Sequence, residues 1–290
     1  AMQSLPVGIP KVMVSTLASG DTSPYVQTKD IAMLYSVVDI AGINSISRQI
    51  LTNAAGAICG MVQATAEPIA EKPLIAATMF GVTTPCVTQA RQILEEAGYE
   101  VLVFHATGVG GRAMEDLIRG GFIAGVLDVT TTELADELVG GVLSAGPDRL
   151  EAAGKHSVPQ VIAPGALDMV NFGPLDNVPD QFKDRQFYQH NPNVTLMRTT
   201  VDENAELGQI MARKLRAAKG PTTVLIPKQG ISAIDKAEQP FYSPEAETAW
   251  IDNLKSGLSG SDVETLELDN HINDEAFAEK LAQTLLDLIG

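Results

Sequence analysis

The chain has 290 residues, of which 45% are hydrophobic and 19% charged, as is typical of a globular protein with a large core. Its 36 acidic residues outnumber its 20 basic ones and give a net charge of −16, which disfavours nucleic acid as a partner. No apolar run reaches the roughly twenty residues that span a bilayer, so no membrane partner is expected. The chain opens without a signal-peptide pattern, and Cys59 and Cys86 have no metal-binding spacing. We therefore expect a cytoplasmic protein with free thiols.

Residues 1–65 predict a small α/β region with two short strands, Lys11–Thr16 and Ile31–Ser36. The first strand leads into a hydroxyl-rich turn, which is suited either to ligand contact or to helix capping. The ligand-binding candidates in this turn are Ser15, Thr16, Ser19 and Gly20. A long helix from Val38 to about Met61 is rich in small and apolar residues, which indicates packing against another helix or a second subunit.

A polar segment with two prolines, residues 66–73, predicts a linker and a domain boundary. Beyond it, over residues 74–290, short apolar runs alternate regularly with helical segments. The strands are expected at Pro73–Met79, Tyr99–Phe104, Phe122–Asp128, Val158–Pro164, Val194–Arg198, Thr222–Pro227 and Val263–Leu268. This alternation predicts an α/β fold with a Rossmann-like parallel sheet layered by helices.

A glycine-rich turn lies between the strand that ends at Phe104 and the helix that begins near Ala113. Such a turn exposes unpaired backbone N–H groups at the positive end of the helix dipole, where anions bind. A nearby arginine adds a planar donor for phosphate or carboxylate. The alternative is an ordinary strand–helix turn whose glycines permit close packing. The ligand-binding candidates here are Thr107, Gly108, Gly110, Gly111 and Arg112.

Polar side chains follow most of the strands predicted in residues 74–290. In parallel sheets, ligands bind at the carboxyl ends of the strands. The polar side chains are Thr83 and Thr84, His105 and Thr107, Asp128 and Thr130, Asp168 and Asn171, and Lys228 and Gln229. We expect these residues to hold a phosphate-bearing or carboxylate-bearing small molecule, with His105 as a general acid or base. A further ligand-binding candidate, His190, lies near the end of the long polar segment Pro174–Asn193, a length typical of functional loops.

A second chemistry uses an overlapping set of residues. In this alternative, His105, Asp128, Asp168 and His190 converge on a divalent metal and form a hydrolase-like centre. No histidine spacing typical of a metal site supports it, so no metal ligand is assigned. The catalytic candidates are His105, Asp128 and Asp168. Their structural alternative is one histidine bonded to the backbone and two aspartates that cap helices.

Five sequence motifs are distributed along most of the chain. They are Val14–Gly20, Thr78–Val87, Phe104–Gly108, Pro164–Gly173 and His190–Thr200. Together they resemble the uncharacterised protein family 0261. The resemblance implies two successive α/β subdomains, the first of which binds ATP and carries a glycine-rich strand–turn in its first half. Residues 1–65 match only the second half of that first subdomain, so the large sheet is expected to follow the remnant of a first α/β subdomain.

The resemblance also implies partners. Ser15, Thr16, Ser19 and Gly20 match a segment that faces the nucleotide in the family, so ATP or another nucleotide is the implied cofactor. A companion N-terminal fragment or a second copy of the chain is expected to complete the first subdomain. The family includes a plant relative that inhibits a virus by binding a replication protein, which favours a non-catalytic interaction module as a third hypothesis. Binding of a nucleotide or another phosphate-bearing small molecule remains the main prediction.

Overall fold

A computed structural model describes residues 1–65 and 71–290. Most of the expected linker, residues 66–70, lies outside the described residues. Contacts within the chain define two compact units, Ala1–Glu71 and Lys72–Gly290, which we call unit 1 and unit 2.

The described residues of unit 1 form two short parallel strands and two α-helices, besides short 3-10 turns. Strands β1 (Val12–Ser15) and β2 (Ala32–Tyr35) pair in register, with the four-residue helix α1 (Ser23–Val26) between them. Helix α2 (Ser45–Gln63) begins later than predicted, because the Asn44 side chain accepts from two backbone N–H groups of its first turn.

Few side chains of unit 1 are buried. Among its described residues, they are Lys11, Ile31, Ser36, Ser47 and Ala54. Many large apolar side chains stay exposed, the most exposed being Ile43 at 71%. The strands of parallel sheets normally have both faces covered by helices. Unit 1 therefore exposes surface that helices usually cover.

The main sheet of unit 2 has six strands, all parallel. The strands are β3 (Leu74–Met79), β4 (Glu100–His105), β5 (Ile123–Thr130), β6 (Gln160–Gly165), β10 (Thr222–Pro227) and β11 (Glu264–Leu268). Their order across the sheet is β4-β3-β5-β6-β10-β11. The chain therefore reverses its direction of travel across the sheet between β3 and β5, which is the topological switch point of a doubly wound fold. The expected Rossmann-like α/β architecture is confirmed.

Alternating side chains place two cores on opposite faces of this sheet. The helices are α3 (Thr84–Glu96), α4 (Val109–Arg119), α5 (Glu133–Val139), α6 (Ala152–Lys155), α7 (Val201–Arg216), α8 (Pro244–Leu258) and α9 (Glu275–Ile289). Val161 and Ala163 of β6 pack with α3 and α9, whereas Ile162 between them packs with α7 and α8. Strands buried on both faces are continuously apolar, which explains why they could be predicted.

A three-stranded antiparallel sheet follows β6, in the order β7-β9-β8. It consists of β7 (Met169–Phe172), β8 (Phe187–Asn191) and β9 (Val194–Arg198). Of these three strands, the sequence predicts only β9. The residues of β7 follow β6 closely and resemble its connecting loop, and those of β8 lie near the end of a long polar segment. None of the helices in the described ranges is long and apolar enough to cross a membrane.

Candidate functional site

At the switch point between β3 and β5, the predicted threonine hydroxyl groups are hydrogen-bonded within the protein. Thr83 Oγ1 lies 2.8 Å from Thr130 Oγ1, and both residues are fully buried. The hydroxyl of Thr84 donates to the carbonyl of Phe80 at 3.0 Å. A cluster of buried apolar side chains packs beside them: Val82, Ala166, Met169, Leu196, Ile234 and Phe241. Thr83 is therefore buried within the protein, whereas Thr84 is half-buried and its contact with a ligand stays a prediction.

Asp128 belongs to a buried ion cluster rather than to an open edge. Both its oxygens accept from Arg149, at 2.5 and 2.7 Å, and Thr78 Oγ1 donates to it at 2.7 Å. Arg149 is also bonded to Glu133 at 2.6 Å and lies 3.6 Å from Glu115. We call Arg149, Glu115, Asp128 and Glu133 the Arg149 cluster. Because Asp128 is 1% exposed and fully hydrogen-bonded, its predicted catalytic role is replaced by a structural one.

The glycine-rich turn before α4 binds an anion that belongs to the protein. Oε1 of Glu133 accepts from the N–H groups of Gly108 at 2.6 Å and Gly111 at 3.1 Å. A Cβ at Gly111 would overlap this carboxylate, so a glycine is required there. The N–H groups of Gly108 and Gly111 were predicted to bind an external anion, and they bind the carboxylate of Glu133 instead. The turn therefore binds an anion, as predicted, but the anion is part of the protein.

The outer half of the same turn has different surroundings. The N–H groups of Val109 and Gly110 have no acceptor among the described residues, and Val109 is 52% exposed. His105 is exposed and stacks on Phe80, with ring centroids 5.4 Å apart. A Cβ at Gly110 would overlap the His105 carbonyl, which shows how closely α4 approaches the end of β4.

Two further predicted residues lie in this outer region. Arg112 is exposed and forms no ion pair within the described part of the chain. Thr107 Oγ1 donates to the carbonyl of His105 at 3.2 Å. Around this turn, His105 and Arg112 are therefore the exposed basic side chains, and they lie beside two N–H groups that have no acceptor among the described residues.

Asp168 lies in a second buried cluster, which sequence reasoning did not foresee. It follows β6 and is 0% exposed, and Ser232 Oγ donates to its Oδ2 at 2.8 Å. Arg198 at the end of β9 places Nη2 3.7 Å from Asp235 Oδ1. Glu247 lies in the first turn of α8, and burial and the nearby Asp235 raise the pKa of its carboxyl group. We call Arg198, Asp168, Asp235 and Glu247 the Arg198 cluster.

The carboxyl groups of the Arg198 cluster resist ionisation. Burial and the nearby Asp235 raise the pKa of Asp168 to about 7. Burial, together with Asp235, raises the pKa of Glu247 to about 9. The pKa of Asp235 is raised by burial against the opposing effect of Arg198. One guanidinium does not offset the burial of three acidic groups, so protons are retained here near neutral pH.

Four polar atoms of the Arg198 cluster are buried and have no hydrogen-bond partner among the described residues. They are Asp168 Oδ1, Arg198 Nη2, Asp235 Oδ1 and Glu247 Oε1. Since buried polar atoms are nearly always bonded in native proteins, this concentration marks an unusual location.

The remaining predicted residues lie elsewhere. His190 is exposed on β8 of the antiparallel sheet. Ser15, Thr16, Ser19 and Gly20 belong to unit 1, where Ser15 Oγ accepts from Leu17 N and Ser19 Oγ donates to Thr16 O. No group of three or more His, Cys, Asp or Glu side chains in the described ranges is arranged to hold a metal ion. The residues proposed for a metal centre are therefore not brought together.

The fold and these sites define a two-unit α/β protein with a doubly wound second unit. The chain belongs to the uncharacterised protein family UPF0261, whose N-terminal domain matches residues 1–67 and whose C-terminal domain matches residues 72–289. It is 59% identical to a UPF0261 protein of Clostridium tetani, over 100% of this chain and 72% of that protein. It is 47% identical to the ToMV resistance protein Tm-1(GCR237) of Solanum lycopersicum, over 99% of this chain and 39% of that protein.

Proposed function

We propose that unit 2 binds a phosphate-bearing small molecule, with nucleotides as the first class to test, at the outer end of β4 and the first turn of α4. The observation that carries this proposal is the pair of N–H groups of Val109 and Gly110, which have no acceptor among the described residues. They lie in the same turn that already binds the Glu133 carboxylate, so the local field favours anions.

Two exposed basic side chains support the proposal. Arg112 is free to form a charge-assisted hydrogen bond to phosphate, and the backbone of His105 lies against Gly110 of the same turn. Stacked on Phe80, the imidazole of His105 is held at the end of β4 and suits a general acid or base for a bound ligand.

The test is calorimetric titration of the chain with ATP, ADP and inorganic phosphate. We expect saturable binding that Arg112→Ala weakens about tenfold, because a hydrogen bond to a charged group contributes roughly 1.5–3 kcal/mol. Arg91→Ala is the matched control, since Arg91 is an exposed helical arginine on α3. Equal affinities in Arg112→Ala and Arg91→Ala would contradict the proposal.

Unit 1 supports a second candidate function, association with another polypeptide, with a second copy of the chain as the first partner to test. Four exposed apolar side chains precede or begin α2: Val37, Ile40, Ile43 and Ile46. Exposed apolar side chains that lie close together mark interaction sites. We expect Ile43→Asp to shift the mass measured by light scattering toward the monomer, whereas Glu71→Gln leaves it unchanged. A wild-type chain that is monomeric at all concentrations would refute self-association.

A further inference from the structure

The Arg198 cluster lies where four separate parts of unit 2 meet. Asp168 follows β6, Arg198 ends β9, Asp235 belongs to the segment 228–243, and Glu247 lies in the first turn of α8. The segment 228–243 is long for a connection in a compact domain, and such segments are usually functional. It is the carbonyl of Phe241 in this segment that accepts from Arg198 Nε at 2.7 Å.

Most donors of Arg198 are used within the protein. Nε donates to Phe241, and Nη1 donates to Thr199 Oγ1 at 2.8 Å and to the Asp168 carbonyl at 3.4 Å. Nη2 has no hydrogen-bond acceptor among the described residues, although Arg198 is only 6% exposed. The unpartnered donor therefore lies beside unpartnered acceptors, of which Asp235 Oδ1 is 3.7 Å away.

The mixture of one donor and three acceptors selects the chemistry of a ligand. A phosphate or carboxylate would meet three acidic side chains, whereas an ammonium group would leave Nη2 of Arg198 without an acceptor. A hydroxyl group accepts one hydrogen bond and donates another, so it satisfies both kinds of atom.

We infer that the Arg198 cluster is a second ligand site of unit 2, which binds a hydroxyl group of a small polyhydroxylated molecule. The hydroxyl oxygen accepts from Arg198 Nη2, and its hydrogen is donated to Asp168 Oδ1. Glu247 is the partly exposed member of the cluster, although its Oε1 is buried. This site shares no residue with the proposed phosphate site on α4.

The test uses D-ribose, myo-inositol and glycerol as probes on the full chain, by calorimetric titration at pH 7. We expect at least one probe to bind saturably, and Glu247→Gln and Asp168→Asn each to weaken it at least about tenfold. Glu245→Gln is the matched control, because Glu245 is exposed in the same helical turn. Circular dichroism checks folding, and Glu247→Gln carries the test if Asp168→Asn does not fold.

Bound water has the same hydrogen-bonding chemistry as a ligand hydroxyl, and a crystal structure with the tightest-binding probe separates the two. Probe density between Arg198 Nη2 and Asp168 Oδ1 supports the inference. Water at that position with the probe bound elsewhere overturns it. Failure of all three probes to bind, or equal binding by wild type and Glu247→Gln, also overturns it, and neither result bears on phosphate binding at Arg112.

Discussion

Unit 2 contains two buried arginines, each beside three carboxyl groups, and the two clusters differ in how completely they are hydrogen-bonded. In the Arg149 cluster, Glu133 binds the first turn of α4, and Glu115 accepts from the N–H groups of Leu150 and Ala152. Every buried side-chain polar atom of the Arg149 cluster has a hydrogen-bond partner. In the Arg198 cluster, four such atoms have no partner among the described residues.

The difference separates a structural network from a candidate binding site. Burial alone would lower the pKa of Arg149, but Asp128, Glu133 and Glu115 together raise it above its ordinary value. A fully bonded network rigidifies the fold, because every buried charge is compensated. A partly bonded one carries a desolvation cost that a ligand can relieve, and this makes the Arg198 cluster the stronger candidate.

The largest effect is expected from Arg149→Met. This change leaves three carboxyl groups in the interior without their cation, and breaking a buried pair in this way costs about 3–5 kcal/mol. We expect the free energy of unfolding in urea to fall by at least that amount, or cooperative folding to be lost. Arg91→Met, in an exposed pair with Glu95, is the control and should cost no more than about 0.5 kcal/mol. Similar losses in the two variants would refute the structural role of the Arg149 cluster.

Gly111→Ala should be the next most damaging change. Its Cβ would overlap the Glu133 carboxylate, which the bonds from Gly108 and Arg149 hold in place. Overpacking of this kind costs about 1–3 kcal/mol, measurable as a lower urea midpoint. Gly60→Ala is the control, because Gly60 lies inside α2 with no atom near its missing Cβ. We expect Gly60→Ala to leave the urea midpoint unchanged or to raise it slightly. A lower midpoint for Gly60→Ala, with no change for Gly111→Ala, would contradict the prediction.

The Arg198 cluster should respond to pH. The folded-state pKa of Asp168, about 7, lies above its ordinary value, so the folded state holds a proton that the unfolded state has released. The contribution of Asp168 to stability is therefore greatest below about pH 4 and is lost as the pH rises toward 7. Each unit of difference in pKa corresponds to about 1.4 kcal/mol.

Asp168→Asn tests this pH dependence. We expect the variant to lose less stability than wild type between pH 5 and pH 8, measured as the free energy of unfolding in urea. Burial also raises the pKa of Asp136 to about 7, so the difference between the two proteins, rather than the wild-type slope, reports on Asp168. Glu245→Gln should have the wild-type slope. Parallel slopes for wild type and Asp168→Asn would show that Asp168 titrates normally.

The sequence could predict the main sheet but only fragments of these clusters. Buried strands such as β6 and β10 are continuous apolar runs, so local composition reveals them. Strand β7 has only four residues and comes directly after a turn, which leaves too short a pattern. Partners within the clusters are distant in sequence: Asp168 and Ser232 are 64 residues apart, and Thr78 and Asp128 are 50. Asp168 could be singled out by its position after a strand, but its buried neighbours depend on the tertiary fold.

The smallest expected effect is a difference in pH dependence between two variants, each of which removes one hydroxyl group from one cluster. Thr78→Val removes the donor to Asp128 and the acceptor of the Thr130 N–H, whereas Ser232→Ala removes the donor to Asp168 and the acceptor of the Ile234 N–H. Each leaves a backbone donor unbonded, at a cost of about 1–3 kcal/mol.

The two hydroxyl variants should differ in how that cost depends on pH. The hydrogen bond from Ser232 lowers the pKa of Asp168, so its loss matters most when the carboxylate is ionised. We expect the deficit of Ser232→Ala to grow between pH 5 and pH 8. The deficit of Thr78→Val should stay constant, because Asp128 keeps both bonds from Arg149. Equal pH dependence in urea unfolding would mean that the two clusters hold their carboxyl groups in the same way, and the contrast between them would then fail.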